Sequence, residues 1–351
     1  MDAFAEDHEQ LILRHDQNTG LKAVFAIHST HLGPAAGGCR RWQYADTASA
    51  VTDALRLSKS MTYKNALAGL PFGGGKSVIL ADAQPITNAQ LEVFGAWVEA
   101  LGGRYVTAED VGMRVADMRV VRRRTQYVSG LGLNGIGGDP SPKTALGVYR
   151  GIEIAVQRRL GHVALGGLTV AIQGLGNVGF HLAKLLHRAG AKLLVADINS
   201  KHRDCAVERF DASPVDADDI LFQDVDVLAP CALGAIVDET SVERIQAPII
   251  AGSANNQLSN ASVGVRLRER GVLYAPDYVI NAGGVISVAF EYLGGEDPSW
   301  INQRIDAIGA RLSEIFDIAE REGSATQAVA DRMVETILKA SGGQPDLRVV
   351  A

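Results

Sequence analysis

The chain has 351 residues, enough for two domains, and its 47% hydrophobic content is typical of a globular protein. Its formal net charge of −6 argues against a nucleic-acid-binding surface, which would be basic, and favours small-molecule ligands. The three cysteines are widely separated, which argues against a disulfide framework and a zinc site. The first ten residues are acidic and polar, unlike a signal peptide, and no apolar stretch is long enough to span a membrane. We therefore expect a cytoplasmic enzyme.

The first part of the chain mixes strand and helix patterns. Two β-like runs, 11–16 and 21–29, flank a turn signal. A helical pattern begins at Thr47, which we expect to cap it, and a short buried strand is predicted at 77–80. Five glycines and two prolines within 128–142 end regular structure, so we place a domain junction there.

The second part of the chain alternates strands with helices. Buried strands are predicted at 168–173, 192–197, 225–230, 247–252 and 271–276. This alternation predicts an α/β fold with a parallel sheet and helices on both of its faces. A long amphipathic helix follows from Ile301, and a last helix is predicted at about 325–340.

Residues 174–179 read Gly-Leu-Gly-Asn-Val-Gly between a predicted strand and a predicted helix. In a dinucleotide-binding turn Gly174 permits the tight bend, Gly176 lets the backbone approach the pyrophosphate, and Gly179 allows close helix–strand packing. The helix that follows offers free N–H groups and partial positive charge. The predicted cofactor contacts in this turn are Gly174, Gly176, Asn177, Val178 and Gly179.

The acidic residue that follows the next strand predicts which cofactor binds. Asp197 lies at the spacing of the residue that binds the adenosine ribose, and its charge repels a 2′-phosphate. NAD is therefore favoured over NADP, although Lys201 and Arg203 lie close by in the sequence. The structural alternative is a glycine turn that binds nothing.

Residues 69–77 read GLPFGGGKS and have the composition of a phosphate-binding P-loop. The spacing of a P-loop would require a glycine at position 70, which is Leu70, and Pro71 has no N–H to donate. The run is therefore a poor match for a nucleotide hydrolase, and the role of its lysine, Lys76, needs another explanation.

Three side chains of the first part could carry chemistry. Lys64, Lys76 and Asp110 lie in or beside stretches rich in glycine and alanine, where a lysine is less easily explained as a solvated surface charge. A surface charge is nevertheless the more common explanation for any single lysine. Since an NAD domain implies hydride transfer, the first part would supply substrate binding and proton chemistry.

Six motifs spread over most of the chain are GPAAGGCR (33–40), MTYKNALAGLPFGGGKSVI (61–79), TAEDVG (107–112), GLGNVG (174–179), AGSANNQL (251–258) and YAPDYVINAGGVI (274–286). Through these motifs the sequence resembles the glutamate/leucine/phenylalanine/valine dehydrogenase family. The resemblance implies reversible NAD(P)-dependent deamination of an L-amino acid to a 2-oxo acid and ammonia, by a homo-oligomer. The domains expected are a substrate-binding and oligomerisation domain at 1–138, a Rossmann-type doubly wound NAD domain at 139–325 and a C-terminal helix at 326–351 that packs back on the first domain.

The resemblance also implies roles for matching residues. Lys64 would bind the substrate carboxylate, helped by the backbone of Gly37 and Gly38. Lys76 would be the catalytic lysine, and Asp110 would carry protons to and from the amine. Further contacts with the substrate or the nicotinamide are expected from Thr144, Asn256 and Asn281.

Elementary chemistry is consistent with a catalytic lysine. A lysine has an ordinary pKa near about 10.4, too high for a base at neutral pH, but burial and a second lysine nearby both lower such a pKa. The amine can then activate the water that adds to the substrate carbon and stabilise the oxyanion that forms. Because glycine allows close approach, we expect the glycine run to shape a substrate pocket.

Two apolar positions indicate the substrate class. Family members that act on glutamate carry a lysine at the position of Ala36 and a serine at that of Val288, and a buried carboxylate without such partners costs several kcal/mol. Val285 and Val288 would line an apolar pocket, and the small Ala36 leaves room for a long or aromatic side chain. We expect phenylalanine, leucine or valine, with overlap among them and a slight preference for a bulky substrate.

Two further alternatives stay open at this stage. A non-catalytic NAD-binding regulator could keep the same fold, although Lys64, Lys76 and Asp110 together argue against it. A hydroxy-acid dehydrogenase would pair a catalytic histidine with an arginine, and none of the eight histidines has such a context. No metal-ligating cluster is predicted.

Overall fold

A computed structural model describes residues 7–132, 138–161 and 164–341. The chain divides into two units. Of the described residues, the first unit takes those up to Asp139, Ser287–Pro298 and those from Val334 onward, and the second takes Pro140–Ile286 and Ser299–Met333. The chain thus leaves the first unit inside the glycine-rich segment 128–142, of which 133–137 lie outside the described residues.

The first unit is built on a mixed sheet. Its strands are β1 (Gln10–His15), β2 (Lys22–Ser29), β3 (Ala35–Ala36), β4 (Cys39–Trp42), β5 (Gly73–Leu80) and β6 (Tyr105–Val106). Its helices are α1 (Thr47–Leu67), α2 (Asn88–Glu99) and α3 (Val115–Val121). The strand order is β1-β2-β5-β3-β6, and β4 also pairs with β5. Strand β2 is antiparallel to β1 and β5, whereas β3 and β4 run parallel to β5.

Strand β2 carries apolar residues on both faces because successive side chains of a strand alternate. On one face Phe25 stacks on Phe94 of α2 with ring centroids 5.5 Å apart, and Tyr105 meets it edge-on at 6.0 Å. On the other face Val24 packs with apolar residues of α1 such as Leu55. The sheet therefore has a helix layer on each side.

The second unit is built on a parallel sheet. Its strands are β7 (Thr169–Gln173), β8 (Lys192–Ala196), β9 (Ser213–Pro214), β10 (Val227–Pro230), β11 (Ile249–Ile250) and β12 (Leu273–Tyr274). Its helices are α4 (Ser141–Leu160), α5 (Asn177–Arg188), α6 (Ser200–Phe210), α7 (Ser241–Arg244), α8 (Ala261–Glu269), α9 (Asp277–Ile280) and α11 (Ser299–Glu322), with a 3₁₀ turn at Ile220–Phe222. Two helices, α10 (Gly283–Tyr292) and α12 (Thr326–Ala340), contribute residues to both units. None of the helices in the described part of the chain has the length and apolarity needed to cross a membrane.

The strand order of this second sheet is β12-β11-β10-β7-β8-β9, with every pair parallel. The chain enters at β7 in the middle, winds outward in one direction and then returns to wind in the other. This is the doubly wound order of dinucleotide-binding sheets, which bind ligands where the winding reverses, between β7 and β10. The predicted α/β fold is confirmed, and the five predicted strands all occur. The sixth strand, β9, has only two residues and shows no recognisable periodicity.

Three of the differences from the sequence-based expectation concern β5, α1 and α2. Strand β5 begins at Gly73 rather than at residue 77, so that Lys76 lies inside the strand. The side chain of Asp46, not that of Thr47, caps α1 by accepting a hydrogen bond from a backbone N–H. Helix α2 has no counterpart among the predicted elements, although its start carries a capping box, a recognisable signal.

Candidate active site

Three consecutive glycines open β5, and all three are buried. A Cβ on Gly74 would lie 2.1 Å from the backbone nitrogen of Thr62 in α1, and one on Gly75 would lie 2.8 Å from the ring of Tyr105. The glycines are thus required for α1 and β6 to pack directly on the strand. Protein atoms occupy the space that the missing side chains leave, and the expectation that the run also shapes a substrate pocket stays a prediction.

Lys76 lies inside β5 on the face that packs against α1. Alternation places it on the same side as Gly74 and Val78, and Val78 packs with apolar residues of α1. Only 6% of the Lys76 side chain is exposed, and its Nζ lies 2.7 Å from Oδ2 of Asp110. Lysine is almost never buried without a partner. Lys76 is therefore not a solvated surface charge.

Asp110 lies in the loop that follows β6, with 25% of its side chain exposed. Gly38 makes this position possible, because a Cβ on Gly38 would lie 3.0 Å from the Cβ of Asp110. Burial alone would raise the pKa of Asp110, but the charges of Lys76 and then Arg40 outweigh burial and lower it from 3.8 to about 2. The carboxylate is therefore ionised at neutral pH.

A second cation, absent from the sequence-based prediction, shares the same carboxylate oxygen. The Nε of Arg40 in β4 donates to Oδ2 of Asp110 at 3.1 Å, and its Nη1 donates to Oδ2 of Asp53 in α1 at 3.0 Å. The hydroxyl of Tyr44 donates to that same oxygen of Asp53 at 2.6 Å. The sequence did contain a signal for Arg40, because this residue ends GPAAGGCR, one of the motifs that carry the family resemblance.

Lys64 lies in the last turn of α1 and is half-buried. Thr62, two residues earlier in the helix, packs on Gly74, two residues before Lys76 in the strand. Both predicted lysines therefore belong to the elements that meet at this one helix–strand contact. The structure places Lys64, Lys76 and Asp110 in the same unit.

The two predicted glycines of the β3–β4 turn, Gly37 and Gly38, differ in whether the backbone N–H group is hydrogen-bonded. The N–H of Gly37 donates to the Val106 carbonyl at 3.1 Å, and its own carbonyl accepts from the Tyr105 hydroxyl at 2.6 Å. The N–H of Gly38 has no hydrogen-bond partner among the described residues. Of the two, only Gly38 keeps a backbone N–H for a substrate carboxylate.

The predicted specificity residues lie on β3 and α10. Ala36 is half-buried and pairs with Gly74 across the sheet. Val285 and Val288 are half-buried and lie one turn apart on α10, Val285 in the second unit and Val288 in the first. The Ser129 hydroxyl donates to the Val288 carbonyl at 2.7 Å, which fixes this part of α10 within the first unit.

In the second unit, the loop from β7 to α5 has the shape that a dinucleotide pyrophosphate requires. Gly174 has a φ of +91°, in the left-handed region, and a Cβ on it would lie 2.7 Å from that of Ala232. A Cβ on Gly179 would lie 2.0 Å from the Gly174 carbonyl oxygen. A Cβ on Gly176 would instead face open space, with no atom of the described residues within 4 Å. The three glycines provide a turn, close packing and access, as a pyrophosphate loop needs.

The start of α5 is free to bind an anion. The helix begins after Gly176 without a side-chain cap, and within the described ranges the N–H groups of Asn177, Val178 and Gly179 have no acceptor. Unpaired N–H groups and the helix dipole both favour an anionic ligand at this end. The loop and the helix therefore fit the pyrophosphate of a nicotinamide dinucleotide.

Asp197 follows β8, and 11% of its side chain is exposed. Its Oδ2 accepts from the Leu175 N–H at 2.6 Å and its Oδ1 from the Asn199 N–H at 2.7 Å. Since each carboxylate oxygen has about two lone-pair sites, both keep capacity for a ribose hydroxyl. Asp197 thus stabilises the glycine loop and can also bind the cofactor.

Two predicted asparagines meet at the segment 251–258. Asn256 has a φ of +52°, and its carbonyl accepts from the Ala235 N–H at 2.7 Å. Asn281 is buried and donates to the Ser253 carbonyl at 3.2 Å and to Oδ1 of Asn255 at 3.1 Å. Asn281 therefore holds the segment that carries Asn256.

The remaining predicted residue, Thr144, lies in the first turn of α4. Its hydroxyl donates to the Pro140 carbonyl at 3.1 Å. A Cβ on Gly284 would lie 2.5 Å from the Thr144 Oγ1, so the start of α10 packs on the start of α4 at this residue. Thr144 is half-buried in the second unit, the unit that contains the glycine loop.

Comparison with known families identifies the chain. Residues 8–127 match the model described as Glu/Leu/Phe/Val dehydrogenase, dimerisation domain, and residues 194–338 match that of Glutamate/Leucine/Phenylalanine/Valine dehydrogenase. The chain belongs to the glutamate/leucine/phenylalanine/valine dehydrogenase family. The resemblance seen in the sequence motifs is confirmed.

Similar proteins of the family match nearly the whole chain. A leucine dehydrogenase of Thermoactinomyces intermedius is 48% identical over 331 residues, which cover 94% of this chain and 90% of the relative. A valine dehydrogenase of Streptomyces albus is 45% identical over 333 residues, covering 93% and 91%. The crystal structure of L-tryptophan dehydrogenase from Nostoc punctiforme matches with a TM-score of 0.84 and 40% identity, covering 97% of this chain and 99% of that one.

As a member of this dehydrogenase family, the chain is an amino acid dehydrogenase, and therefore an oxidoreductase, with NAD as its cofactor. The predicted enzyme class and cofactor are confirmed. The alternative of a non-catalytic regulator gains no support, since each of these relatives is named as an enzyme.

Proposed function

We propose that this enzyme deaminates apolar L-amino acids reversibly to 2-oxo acids and ammonia, with leucine among its preferred substrates. The observation that carries the proposal is the buried Lys76, paired at 2.7 Å with the ionised Asp110. Such a pair suits a reaction in which an ammonium group must lose protons and a carbonyl must form.

Substrate binding is assigned to groups of the first unit. Lys64 would pair with the α-carboxylate, and the N–H of Gly38, which has no partner among the described residues, would donate a second hydrogen bond to it. The ammonium group of the substrate would be attracted to the anionic Asp110. These contacts would fix the α-carbon, which loses the hydride.

The first proton steps are assigned to Asp110. Bound NAD⁺ supplies the hydride acceptor, and the amine must give up a proton before the hydride can leave. The pKa of an α-ammonium group is at least about 8, several units above that of Asp110, which is lowered to about 2, so the transfer is uphill by several kcal/mol. Asp110 would therefore hold the proton only in passing, and its lasting role is to attract and orient the amine.

The later steps are assigned to Lys76. Water must add to the carbon of the iminium product, and ammonia must leave from the same carbon. Lys76 would orient this water and, through its N–H groups, stabilise the oxygen as negative charge develops on it. The glycines fix its strand against α1, and the ion pair with Asp110 directs the amine at the end of its flexible chain.

The apolar preference rests on Ala36, Val285 and Val288. None of them offers a partner for a carboxylate side chain, so glutamate should be a poor substrate. Relatives named as leucine, valine and tryptophan dehydrogenases support an apolar substrate without fixing its size. Phenylalanine, favoured slightly by the small Ala36, stays a prediction.

A homo-oligomer also belongs to this proposal. The family model that matches residues 8–127 is described as a dimerisation domain, which supports self-association of the first unit. Light scattering of the purified protein should give a mass of two or more times 37.2 kDa. A mass of one subunit would contradict it. The cytoplasmic location stays a prediction.

The test of the proposed function is the formation of NADH from NAD, or of NADPH from NADP, with a panel of L-amino acids. We expect turnover with leucine, valine, methionine or phenylalanine, none with glutamate, and faster turnover with NAD. Glutamate turnover, or no turnover with any apolar amino acid, would contradict the proposal.

A further inference from the structure

Arg40 occupies a particular place between the sheet and α1. It pairs with Val78 in the parallel β4–β5 register, and paired residues point to the same face of a sheet. Val78 faces α1, as does Lys76 two residues earlier. Arg40 therefore extends into the same layer, between the strand that carries Lys76 and the helix that carries Asp53.

The guanidinium of Arg40 bridges two carboxylates from different elements. Nε contacts Asp110 at 3.1 Å and Nη1 contacts Asp53 at 3.0 Å, with 21% of the Arg40 side chain exposed. Because the guanidinium is planar and rigid, these contacts fix both its position and its plane. The hydroxyl of Tyr44, at 2.6 Å from Asp53, holds the far end of the bridge.

Charge neutralisation does not explain this arrangement. Asp110 already has Lys76 at 2.7 Å, and Asp53 already has Arg56 at 3.1 Å and the Tyr44 hydroxyl. What Arg40 adds is a second, differently directed donor on the same Oδ2 of Asp110 that Lys76 contacts. Two donors from different strands restrict the carboxylate more than one flexible lysine can.

We propose that Arg40, anchored by Asp53 and Tyr44, is a positioning residue that fixes the Asp110 carboxylate against Lys76 for the amine chemistry. Arg40 does not touch the substrate in this assignment, and it acts only through Asp110. The inference rests on the proposed function, since it presumes that Asp110 and Lys76 act on an amino acid.

The first test compares Arg40→Ala and Arg40→Lys with Arg41→Ala in NADH formation from leucine. Arg41 is a matched control, because it is the next residue of β4 with 18% of its side chain exposed, and it pairs with Asp82 instead. We expect Arg40→Ala to lower kcat about 100-fold, since a misplaced catalytic group costs about that much. Arg40→Lys should recover part of the loss, and Arg41→Ala should stay within about threefold of the wild type.

The second test separates positioning from folding. Added guanidinium ion, which can enter at the partly exposed side chain, should restore part of the kcat of Arg40→Ala and none of that of Lys76→Ala. The melting temperature of Arg40→Ala should fall by only a few degrees, because Lys76 still pairs with Asp110 and Arg56 with Asp53, and its Kd for NADH should match that of the wild type. A kcat of Arg40→Ala within threefold of the wild type, an equal loss in Arg41→Ala, or no rescue by guanidinium would overturn the proposal.

If Arg40→Ala does not fold, Asp53→Asn replaces it. This variant removes the charge of the anchor while keeping its size, and we expect kcat to fall about 10-fold with the KM for leucine changing less. An unchanged kcat in both Asp53→Asn and Arg40→Lys would refute the assignment. Turnover by the wild type tests the proposed function separately. If the wild type is active and the substitutions of Arg40 leave kcat unchanged, only the inference about Arg40 is rejected.

Discussion

Replacing Asp110 by asparagine would remove the anion that Lys76 and Arg40 share while keeping the size of the side chain. Depression of the Asp110 pKa from 3.8 to about 2 corresponds to about 2 kcal/mol of folding free energy at pH 7. Deleting one partner of a fully buried ion pair costs about 3–5 kcal/mol. Because 25% of the Asp110 side chain is exposed, we expect the lower figure, about 2 kcal/mol.

The pH dependence of this loss has a definite sign. The pKa of Asp110 is lower in the folded state than in the unfolded state, so its contribution is complete well above pH 3.8 and disappears as the pH falls towards 2. The difference in stability between wild type and Asp110→Asn should therefore shrink by about half between pH 7 and pH 3. Effects of other carboxylates are common to both proteins and cancel in the difference.

The assay is urea unfolding at fixed protein concentration, at both pH values, since association shifts apparent stability. Asp82→Asn is the matched control, because 73% of the Asp82 side chain is exposed and its partner lies 3.7 Å away. The control should change the free energy of unfolding by less than about 0.5 kcal/mol. An Asp110→Asn protein as stable as the wild type at pH 7, or a difference that grows at low pH, would refute the reasoning.

Three other substitutions test separate parts of the account. Gly74→Ala should lower the melting temperature by several degrees, because the new Cβ would lie 2.1 Å from the backbone of α1. The control Gly166→Ala, whose Cβ would have its nearest atom at 3.6 Å, should change the melting temperature little. Equal melting temperatures of the two variants would contradict the packing argument. Asp197→Ser should raise the ratio of kcat/KM for NADP to that for NAD at least about 10-fold, since the charge that repels a 2′-phosphate is gone, and an unchanged ratio would refute that role. Ala36→Leu should reduce kcat/KM for phenylalanine relative to valine by about 10-fold or more, and equal reductions would mean that residue 36 does not contact the substrate side chain.

The doubly wound unit could be predicted from the sequence because its signals are local. A strand, a glycine turn and a helix follow each other within 168–190, and five strands carry apolar runs of recognisable length. Strand β9 could not be predicted, because two exposed residues ending in Pro214 show no pattern. Helix α2 was not predicted, although the capping box at its start is a local signal from which it could have been.

Less of the first unit could be predicted from the sequence, because its candidate site depends on contacts between segments that are distant in the chain. The glycines of β5 suggest a loop by composition, yet they are needed because Thr62 and Tyr105 lie against them, which no local pattern reveals. Likewise, the contact of Arg40 with Asp110 joins residues 70 positions apart and depends on the pairing of β4 with β5. Family motifs predicted which residues act there, and the structure shows which groups some of them contact.

The claim on which all the others depend is that Lys76 acts in the reaction rather than stabilising the fold alone. The most direct measurement is NADH formation from leucine and NAD by Lys76→Met, which keeps an unbranched side chain one atom shorter and removes its charge. The control is Lys59→Met in α1, where 39% of the lysine side chain is exposed. We expect Lys76→Met to lose at least about 1,000-fold in kcat while binding NADH as the wild type does, and Lys59→Met to stay active. Turnover by Lys76→Met close to that of the wild type would contradict the account.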